Sequence, residues 1–130
     1  TLYTVGSVKE ITGYKNYVSV DGGMTDNPRY TLYEAPYTVL LASRANEKKD
    51  FCATIAGRCC ESGDILQENV LIPRPMRNEI LAVLTTGAYN YSMASNYNRV
   101  PRPPVVMLNE NGDYVAVKRE TFEDICKLDI

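Results

Sequence analysis

Turn-forming residues recur along this chain at intervals of about 8–12 residues, and the stretches between them have the composition of short strands. These stretches are rich in valine, isoleucine, threonine and tyrosine, which favour a half-buried pleated surface. No repeat, low-complexity tract or linker interrupts the 130 residues, so they predict a single domain. We therefore predict a mainly β fold, either a β-sandwich or a Greek-key, barrel-like sheet, with a few short helices.

Eight segments are predicted to be strands. They cover residues 2–11 with a bulge at Gly6, 16–20, 37–44, 51–57, 65–72, 80–85, 105–108 and 114–118. The polar residues 46–50 predict a hairpin loop between two of them, and the apolar residues 80–85 predict a strand buried on both faces. An Asn-Gly pair within residues 109–113 predicts a tight hairpin between the last two strands.

Helices are predicted at three places. Thr25 or Asp26 is expected to cap a short helical turn whose first turn contains Pro28. Residues 87–96 are predicted to contain a short helix. Thr121 is expected to cap a last helix, in which Ile125 and Leu128 are spaced to lie on one face.

Composition excludes several classes of function. The net charge is −2 with scattered lysines and arginines, which argues against a nucleic-acid partner, and the apolar runs are too short to cross a bilayer. The chain has four cysteines without a CxxC pair and no histidine, which excludes histidine-based catalytic triads and makes a metal site improbable. Reduced thiols of this kind predict a cytoplasmic protein.

The segment 59–64 (CCESGD) brings a thiol, two carboxylates and a glycine together within six residues. A thiol beside a carboxylate can move a proton or position an amine. By composition alone, Cys60 is better interpreted as a small buried hydrophobic residue, which is the usual state of a free cysteine. Glu61 and Asp64 have a second interpretation as solvated loop charges, so the motif alone does not decide its function.

Three further side chains allow two interpretations each. Arg29 is either a surface arginine or a guanidinium fork for a carboxylate. Tyr33 is either a core aromatic residue or a ligand contact. Tyr89, which follows Gly87 and Ala88, is either a core residue or a phenol that donates to a phosphate or carboxylate.

Several short segments in a fixed order resemble one family. They are residues 21–29 (DGGMTDNPR), 32–33 (LY), 60–65 (CESGDI), 87–89 (GAY), 92–98 (SMASNYN) and 101–103 (PRP). Their order and spacing resemble the pyridoxal-phosphate-dependent diaminopimelate decarboxylases, over essentially all 130 residues. The resemblance implies that residues 1–130 are the C-terminal β domain of a two-domain enzyme, whose N-terminal (β/α)8 barrel lies outside this sequence.

The resemblance also implies roles for the residues above. Cys60 would be the catalytic proton donor to the substrate carbon after CO2 leaves, and it would enter the active site of a second subunit in a homodimer. Arg29 and Tyr33 would hold a substrate carboxylate, and Glu61 the ammonium group beside it. Tyr89 would contact both the substrate and the phosphate of pyridoxal 5′-phosphate.

We also expect Asp64 to support the loop that contains Cys60 and Glu61. The far end of diaminopimelate carries one positive and one negative charge, which Glu61 and Arg29 match. Ornithine has no carboxylate at that end, so the pair favours diaminopimelate.

The family's usual Pro-Ala after the arginine is replaced here by residues 30–31 (YT), and Glu34 stands where glycine is common.

The cofactor-linked lysine and the phosphate-binding glycine loop have no counterpart among the motifs of this chain. We therefore predict that the 130 residues alone neither attach the cofactor nor decarboxylate. Two alternatives remain, a domain of a sister decarboxylase for ornithine, arginine or carboxynorspermidine, and a non-catalytic β module that binds a protein. Whether Cys59 or Cys60 faces the site also stays open.

Overall fold

The computed structural model describes all 130 residues and contains eight strands and three short helices. The strands are β1 Leu2–Glu10, β2 Asn16–Val20, β3 Val39–Leu41, β4 Phe51–Ala56, β5 Ile65–Ile72, β6 Ile80–Val83, β7 Val105–Met107 and β8 Tyr114–Val117. The helices are α1 Arg29–Tyr33, α2 Asn90–Met93 and α3 Phe122–Cys126, and a single 3-10 turn covers Tyr97–Arg99. No helix combines the length and the apolar composition that a membrane span requires.

Six strands form one curved sheet in the order β3-β6-β1-β2-β4-β5, and β7 and β8 form a separate hairpin. Every neighbouring pair in the large sheet is antiparallel except β2 and β4, which run parallel. The two outermost strands, β3 and β5, approach each other, so the sheet is a nearly closed barrel. The prediction of a mainly β, barrel-like fold with a few short helices is confirmed.

A bulge in β1 lets this strand belong to both halves of the barrel. The first residues of β1 pair with β6, and the remaining residues pair with β2, with a register shift between Val5 and Ser7. Gly6 lies at the shift, where a side chain would press on the hydroxyl of Ser19. The bulge is thus confirmed where it was predicted, and a bulge of this kind favours the bending that a closed sheet requires.

Alternating side chains from the six strands fill the barrel with a single hydrophobic core. Its largest fully buried members are Leu41, Ile55, Leu66, Ile72 and Leu81. The prediction that residues 80–85 are buried on both faces was wrong, because β6 alternates between buried and exposed positions. The barrel has one interior, so only every second residue of a strand can face it.

The predicted hairpin around residues 46–50 was also wrong. β3 pairs with β6, whereas β4 pairs with β2 and β5, so residues 42–50 cross from one strand pair to another. β3 is also shorter than the predicted strand at residues 37–44. Polar residues signal a connection between strands, but they do not state which strands the connection joins.

The last forty residues lie outside the barrel core. Residues 91–130 contain no buried residue, although the hairpin of β7 and β8 and the cap of α3 by Thr121 form as predicted. Leu128 lies beyond α3 and is 84% exposed, whereas Ile125 on α3 is half-buried, so the two residues do not form the single apolar face that was predicted.

Glu120 anchors this segment. Its carboxylate accepts hydrogen bonds from the Asn96 side-chain amide at 2.7 Å, and from the backbone N–H of Arg102 at 2.8 Å. The Arg102 guanidinium donates two more, at 3.0 and 2.5 Å. These polar contacts, rather than buried apolar packing, therefore join Glu120, which lies between β8 and α3, to residues 96–102.

The Glu120 anchor predicts a pH dependence. Hydrogen bonds from Arg102, followed by that from Asn96, lower the pKa of Glu120 from 4.5 to about 2. A carboxylate whose pKa is lowered by folding stabilises the folded state at pH values above its pKa in the unfolded chain. This stabilisation is lost as the pH falls towards the pKa of the folded state. Glu120→Gln should lower the local stability of residues 105–130 at pH 7 by about 1 kcal/mol, a difference that shrinks between pH 4.5 and 2.

Hydrogen–deuterium exchange, corrected for intrinsic rates at each pH, measures this local stability. Glu110→Gln is the matched control, since Glu110 lies exposed in the turn between β7 and β8. A difference between Glu120→Gln and the parent chain that stays constant from pH 7 to pH 2 would contradict the prediction.

Candidate functional site

Three loops meet at one end of the barrel. They are the glycine loop (residues 21–28), the cysteine loop (residues 57–64) and the tyrosine loop (residues 84–98). The hydroxyl of Thr31, just beyond the glycine loop, donates to the carbonyl of Gly63 in the cysteine loop at 2.6 Å. The N–H of Ser95 in the tyrosine loop donates to the carbonyl of Thr25 at 2.8 Å. The three segments thus form one connected rim.

Asp64 joins the cysteine loop to the glycine loop. Its side chain is 3% exposed, and one carboxylate oxygen accepts a hydrogen bond from the N–H of Met24 at 2.6 Å. The other oxygen accepts one from the N–H of Cys59, also at 2.6 Å. Hydrogen bonds to a charged group stabilise more than neutral ones, by about 1.5–3 kcal/mol each. The buried carboxylate therefore fixes the glycine loop against the cysteine loop.

Two glycines make room for this carboxylate. A Cβ atom on Gly23 or on Gly57 would overlap the side-chain oxygens of Asp64. The N–H of Gly57 also donates to the backbone carbonyl of Asp64 at 2.8 Å. These positions need glycine because two backbone segments approach the same carboxylate closely.

The two adjacent cysteines differ in exposure. Cys59 is 2% exposed, and burial, followed by the charge of Asp64, raises the pKa of its thiol. Cys60 is exposed and adopts a left-handed backbone conformation with φ 53°. Of the two thiols, only that of Cys60 is presented at the rim, while that of Cys59 packs inward.

Glu61 follows on the same loop and is exposed. One oxygen of its carboxylate accepts from the hydroxyl of Ser62 at 3.1 Å and from the N–H of Gly63 at 3.4 Å. A carboxylate has about four acceptor positions. Glu61 is therefore oriented by its own loop and keeps acceptor capacity for an external cation.

Arg29 and Tyr89 lie next to each other although Arg29 begins α1 and Tyr89 belongs to the tyrosine loop. The Arg29 guanidinium carbon is 5.7 Å from the centre of the Tyr89 ring, which is a cation–π geometry. None of the ion pairs of the chain involves Arg29. Its positive charge is therefore available to an external carboxylate or phosphate.

Tyr33 lies four residues after Arg29, on the same face of α1. Tyr33 is 63% exposed and Tyr89 is 67% exposed, so neither is a core residue. Asp64, by contrast, is buried, which excludes the interpretation of this residue as a solvated loop charge.

The expected helix cap is absent from the glycine loop. Pro28 occupies the cap position of α1, and no side chain caps the helix. Asp26 instead accepts a hydrogen bond from the hydroxyl of Tyr3 at 2.5 Å and from the N–H of Gly23 at 2.9 Å. Burial raises the pKa of both Tyr3 and Asp26. Asp26 therefore ties the loop to β1, a role that local sequence spacing does not reveal.

Sequence reasoning also missed two residues of the rim. Thr31, which donates to Gly63, was recognised only as a departure from the family pattern. Asn98 donates from its side-chain amide to the carbonyl of Cys59 at 2.7 Å. The one signal for Asn98 is its place in the segment 92–98, which the resemblance singles out.

The rim suits a phosphorylated cofactor in part. The exposed phenol of Tyr89 and the adjacent guanidinium of Arg29 are hydrogen-bond donors of the kind that bind a phosphate group. None of the six lysines lies in the three loops, so the covalent attachment of an aldehyde cofactor needs a lysine from elsewhere. No group of three histidine, cysteine, aspartate or glutamate side chains is arranged to hold a metal ion.

Comparison with known proteins assigns this barrel and its rim to a class. Residues 1–87 match the family described as the pyridoxal-dependent decarboxylase, C-terminal sheet domain. The match covers more than half of the chain, and the chain belongs to this family.

The relatives make the assignment more particular. Over its full length the chain is 54% identical to the diaminopimelate decarboxylase of Bacillus subtilis and 51% identical to that of Halalkalibacterium halodurans. It is similar in structure to the diaminopimelate decarboxylase of M. jannaschii in complex with L-lysine, with a TM-score of 0.91 and 34% identity over 99% of this chain and 29% of the other. The chain spans 30% of the length of the two bacterial relatives.

The close approach of Gly57 to Asp64 predicts a stability effect. Gly57→Ala should destabilise the fold by about 2 kcal/mol or more, because the added methyl group overlaps a buried carboxylate that cannot move without losing its hydrogen bonds. Gly87→Ala is the matched control, since a Cβ there meets nothing within 4 Å. Urea unfolding of both variants measures the difference, and equal midpoints would show that the carboxylate is not held in place.

Proposed function

We propose that this chain is the C-terminal domain of a two-domain, pyridoxal-phosphate-dependent diaminopimelate decarboxylase, which converts meso-2,6-diaminopimelate to L-lysine. The observation that carries the proposal is the rim, where Asp64 locks the cysteine loop, with its exposed Cys60, to the glycine loop, which leads directly into the unpaired Arg29 of α1. The 54% identity to a diaminopimelate decarboxylase along the whole chain supports the same substrate.

The rest of the active site comes from an N-terminal barrel domain and from a second subunit. The relatives are more than three times as long as this chain, which leaves ample length for a barrel. Large apolar side chains in the last forty residues are exposed and need a cover, among them Val106, Met107, Leu108, Tyr114, Val115 and Phe122. The barrel domain, together with the second subunit of a homodimer whose site the cysteine loop enters, would supply that cover. Four free cysteines support a cytoplasmic location.

Pyridoxal 5′-phosphate, when bound, supplies an electron sink that takes up the electron pair left behind when CO2 departs. A lysine of the barrel would hold it covalently. The Tyr89 phenol would donate a hydrogen bond to its phosphate and contact the substrate. Arg29, stacked on the Tyr89 ring, keeps that ring in place while its own guanidinium faces the substrate.

Substrate selection follows from charge. The far end of diaminopimelate carries a carboxylate and an ammonium group. Arg29 and Tyr33 bind the carboxylate by a charge-assisted fork and a phenol hydrogen bond, and Glu61 binds the ammonium. A diamine precursor such as ornithine lacks the far carboxylate, so it would leave Arg29 unpaired in a closed site.

Cys60 gives a proton to the carbon that has lost CO2. Its Sγ–H bond breaks, a C–H bond forms with the electron pair left by CO2, and the thiolate regains a proton from water. The transfer requires a protonated thiol in a fixed direction. Asp64 contributes that direction indirectly, because it holds the N–H of the preceding Cys59.

Replacement of Cys60 tests its role as proton donor. In the full-length protein, Cys60→Ala should lower kcat by about a hundredfold or more, because a general acid contributes that much to a proton transfer. The KM for diaminopimelate should stay close to that of the parent, because Cys60 acts after binding. Lysine formation and CO2 release in steady-state kinetics measure both constants.

Cys52→Ala is the matched control for that variant. Cys52 is also exposed, but it lies on β4, away from the cysteine loop. Unchanged turnover in Cys60→Ala would exclude this residue as the proton donor. A full-length protein that decarboxylates ornithine, arginine or carboxynorspermidine instead of diaminopimelate would support a sister enzyme, and one that decarboxylates none of them would support a binding module.

Replacement of Arg29 tests the assignment of the far carboxylate. Arg29→Gln should raise the KM for diaminopimelate about tenfold or more and change kcat less, since a charged hydrogen-bonding partner is lost on binding. Arg77→Gln is the control, because Arg77 is an exposed arginine that takes part in no ion pair. An unchanged KM in Arg29→Gln would remove this residue from the substrate site.

A further inference from the structure

We propose that Asn98 is a positioning residue that aims the Cys60 thiol. The proposal rests on the proposed function, since it assumes that Cys60 is the proton donor. It assigns a role to a residue that has no place in the chemistry above, because Asn98 acts through the backbone of Cys59 rather than on substrate or cofactor.

The geometry fixes the backbone on both sides of Cys59. The side-chain amide of Asn98 donates to the Cys59 carbonyl at 2.7 Å, which is half of the peptide unit that leads into Cys60. The N–H of Cys59 donates to Asp64 at 2.6 Å, which fixes the preceding peptide unit. The side chain of Cys59 is itself buried. Cys60 therefore leaves a held residue in a defined direction.

The next residue needs this support because its conformation is unfavourable. Cys60 has φ 53°, in the left-handed region, which is unfavourable for a residue with a Cβ. An isolated loop would relax to a right-handed conformation, and the Cα–Cβ bond of Cys60 would then point elsewhere. The hydrogen bond from Asn98 opposes that relaxation, because a flip of the Cys59–Cys60 peptide would move the carbonyl that it holds.

Position 98 requires both a left-handed backbone and a side-chain hydrogen-bond donor, and asparagine provides both. Asn98 itself has φ 54°, and asparagine is among the few residues other than glycine that adopt this conformation readily. Its short side chain then reaches the cysteine loop with a donor. The neighbouring Asn96 and Arg99 are held by Glu120 and Asp129, so Asn98 stands between two anchored residues.

The hydrogen bond from Asn98 affects the direction in which the thiol delivers its proton. Proton transfer from sulfur to carbon requires the thiol to lie close to the carbon and in line with it, and a displacement of about 1 Å can cost up to a hundredfold in rate. Binding of the substrate by Arg29 and Tyr33 does not involve the Cys59 carbonyl. The Glu61 carboxylate is oriented by Ser62 and Gly63 rather than by Asn98. Loss of the Asn98 hydrogen bond should therefore affect turnover and leave substrate affinity unchanged.

Two substitutions separate the donor from the backbone conformation. Asn98→Asp keeps the shape and the tolerance for a left-handed backbone but removes the N–H donor. Asn98→Gly keeps only the backbone tolerance. Asn69→Asp is the matched control, since Asn69 has φ 55° and is exposed on β5, away from the three loops.

In the full-length protein, both Asn98 variants should lower kcat about tenfold or more and leave the KM for diaminopimelate within about twofold. The second-order rate of Cys60 alkylation by iodoacetamide, followed by peptide mapping, should change at least about threefold, because the thiol is no longer held in one orientation. Asn69→Asp should match the parent in all three measurements. Melting temperatures close to that of the parent would show that the variants fold.

The outcomes distinguish this proposal from the one on which it rests. If both Asn98 variants keep the parental kcat and alkylation rate while Cys60→Ala loses activity, Asn98 does not position the thiol and the proposed function stands. If kcat falls and KM rises by the same factor, the whole rim has rearranged and the specific role is wrong. If Cys60→Ala retains activity, the proposed function fails and this inference fails with it.

Discussion

The rim depends on one buried carboxylate without a cation. Asp64 is held in the barrel end by two backbone N–H groups, from Met24 and Cys59, and by the space that Gly23 and Gly57 leave free. A buried charge is costly unless it is hydrogen-bonded. The two loops that supply the N–H groups must therefore keep their positions together, and Cys60 follows the loop that the carboxylate holds.

The polar attachments extend from this point outward to the end of the chain. Asn98 contacts the cysteine loop, and Glu120 holds the segment that contains Asn98. Residues 91–130 contribute no buried side chain, so this part of the chain has little apolar stabilisation of its own. In the proposed dimer a neighbouring domain would cover that surface. Covering it would also stabilise the residues that orient Cys60, which couples assembly to the site.

Much of the fold followed from local patterns. β2 and β5 coincide with their predicted bounds, and the bulge at Gly6 and the hairpin of β7 and β8 occur where turn and bulge residues predict them. Pairing between distant strands did not follow, because β3 joins β6 rather than β4. A strand's partner depends on which pairing closes the barrel around its core, and a polar loop carries no information on that choice.

The sequence by itself determined the mainly β class, the family and the set of candidate residues, because these depend on composition, alternation and the order of motifs. Only the tertiary structure decided which thiol is exposed, that Asp64 is buried, and that Arg29 lies over the ring of Tyr89. These facts involve contacts between residues that are distant in the chain. Burial and orientation arise when three loops are brought to one end of a closed sheet, which local periodicity does not encode.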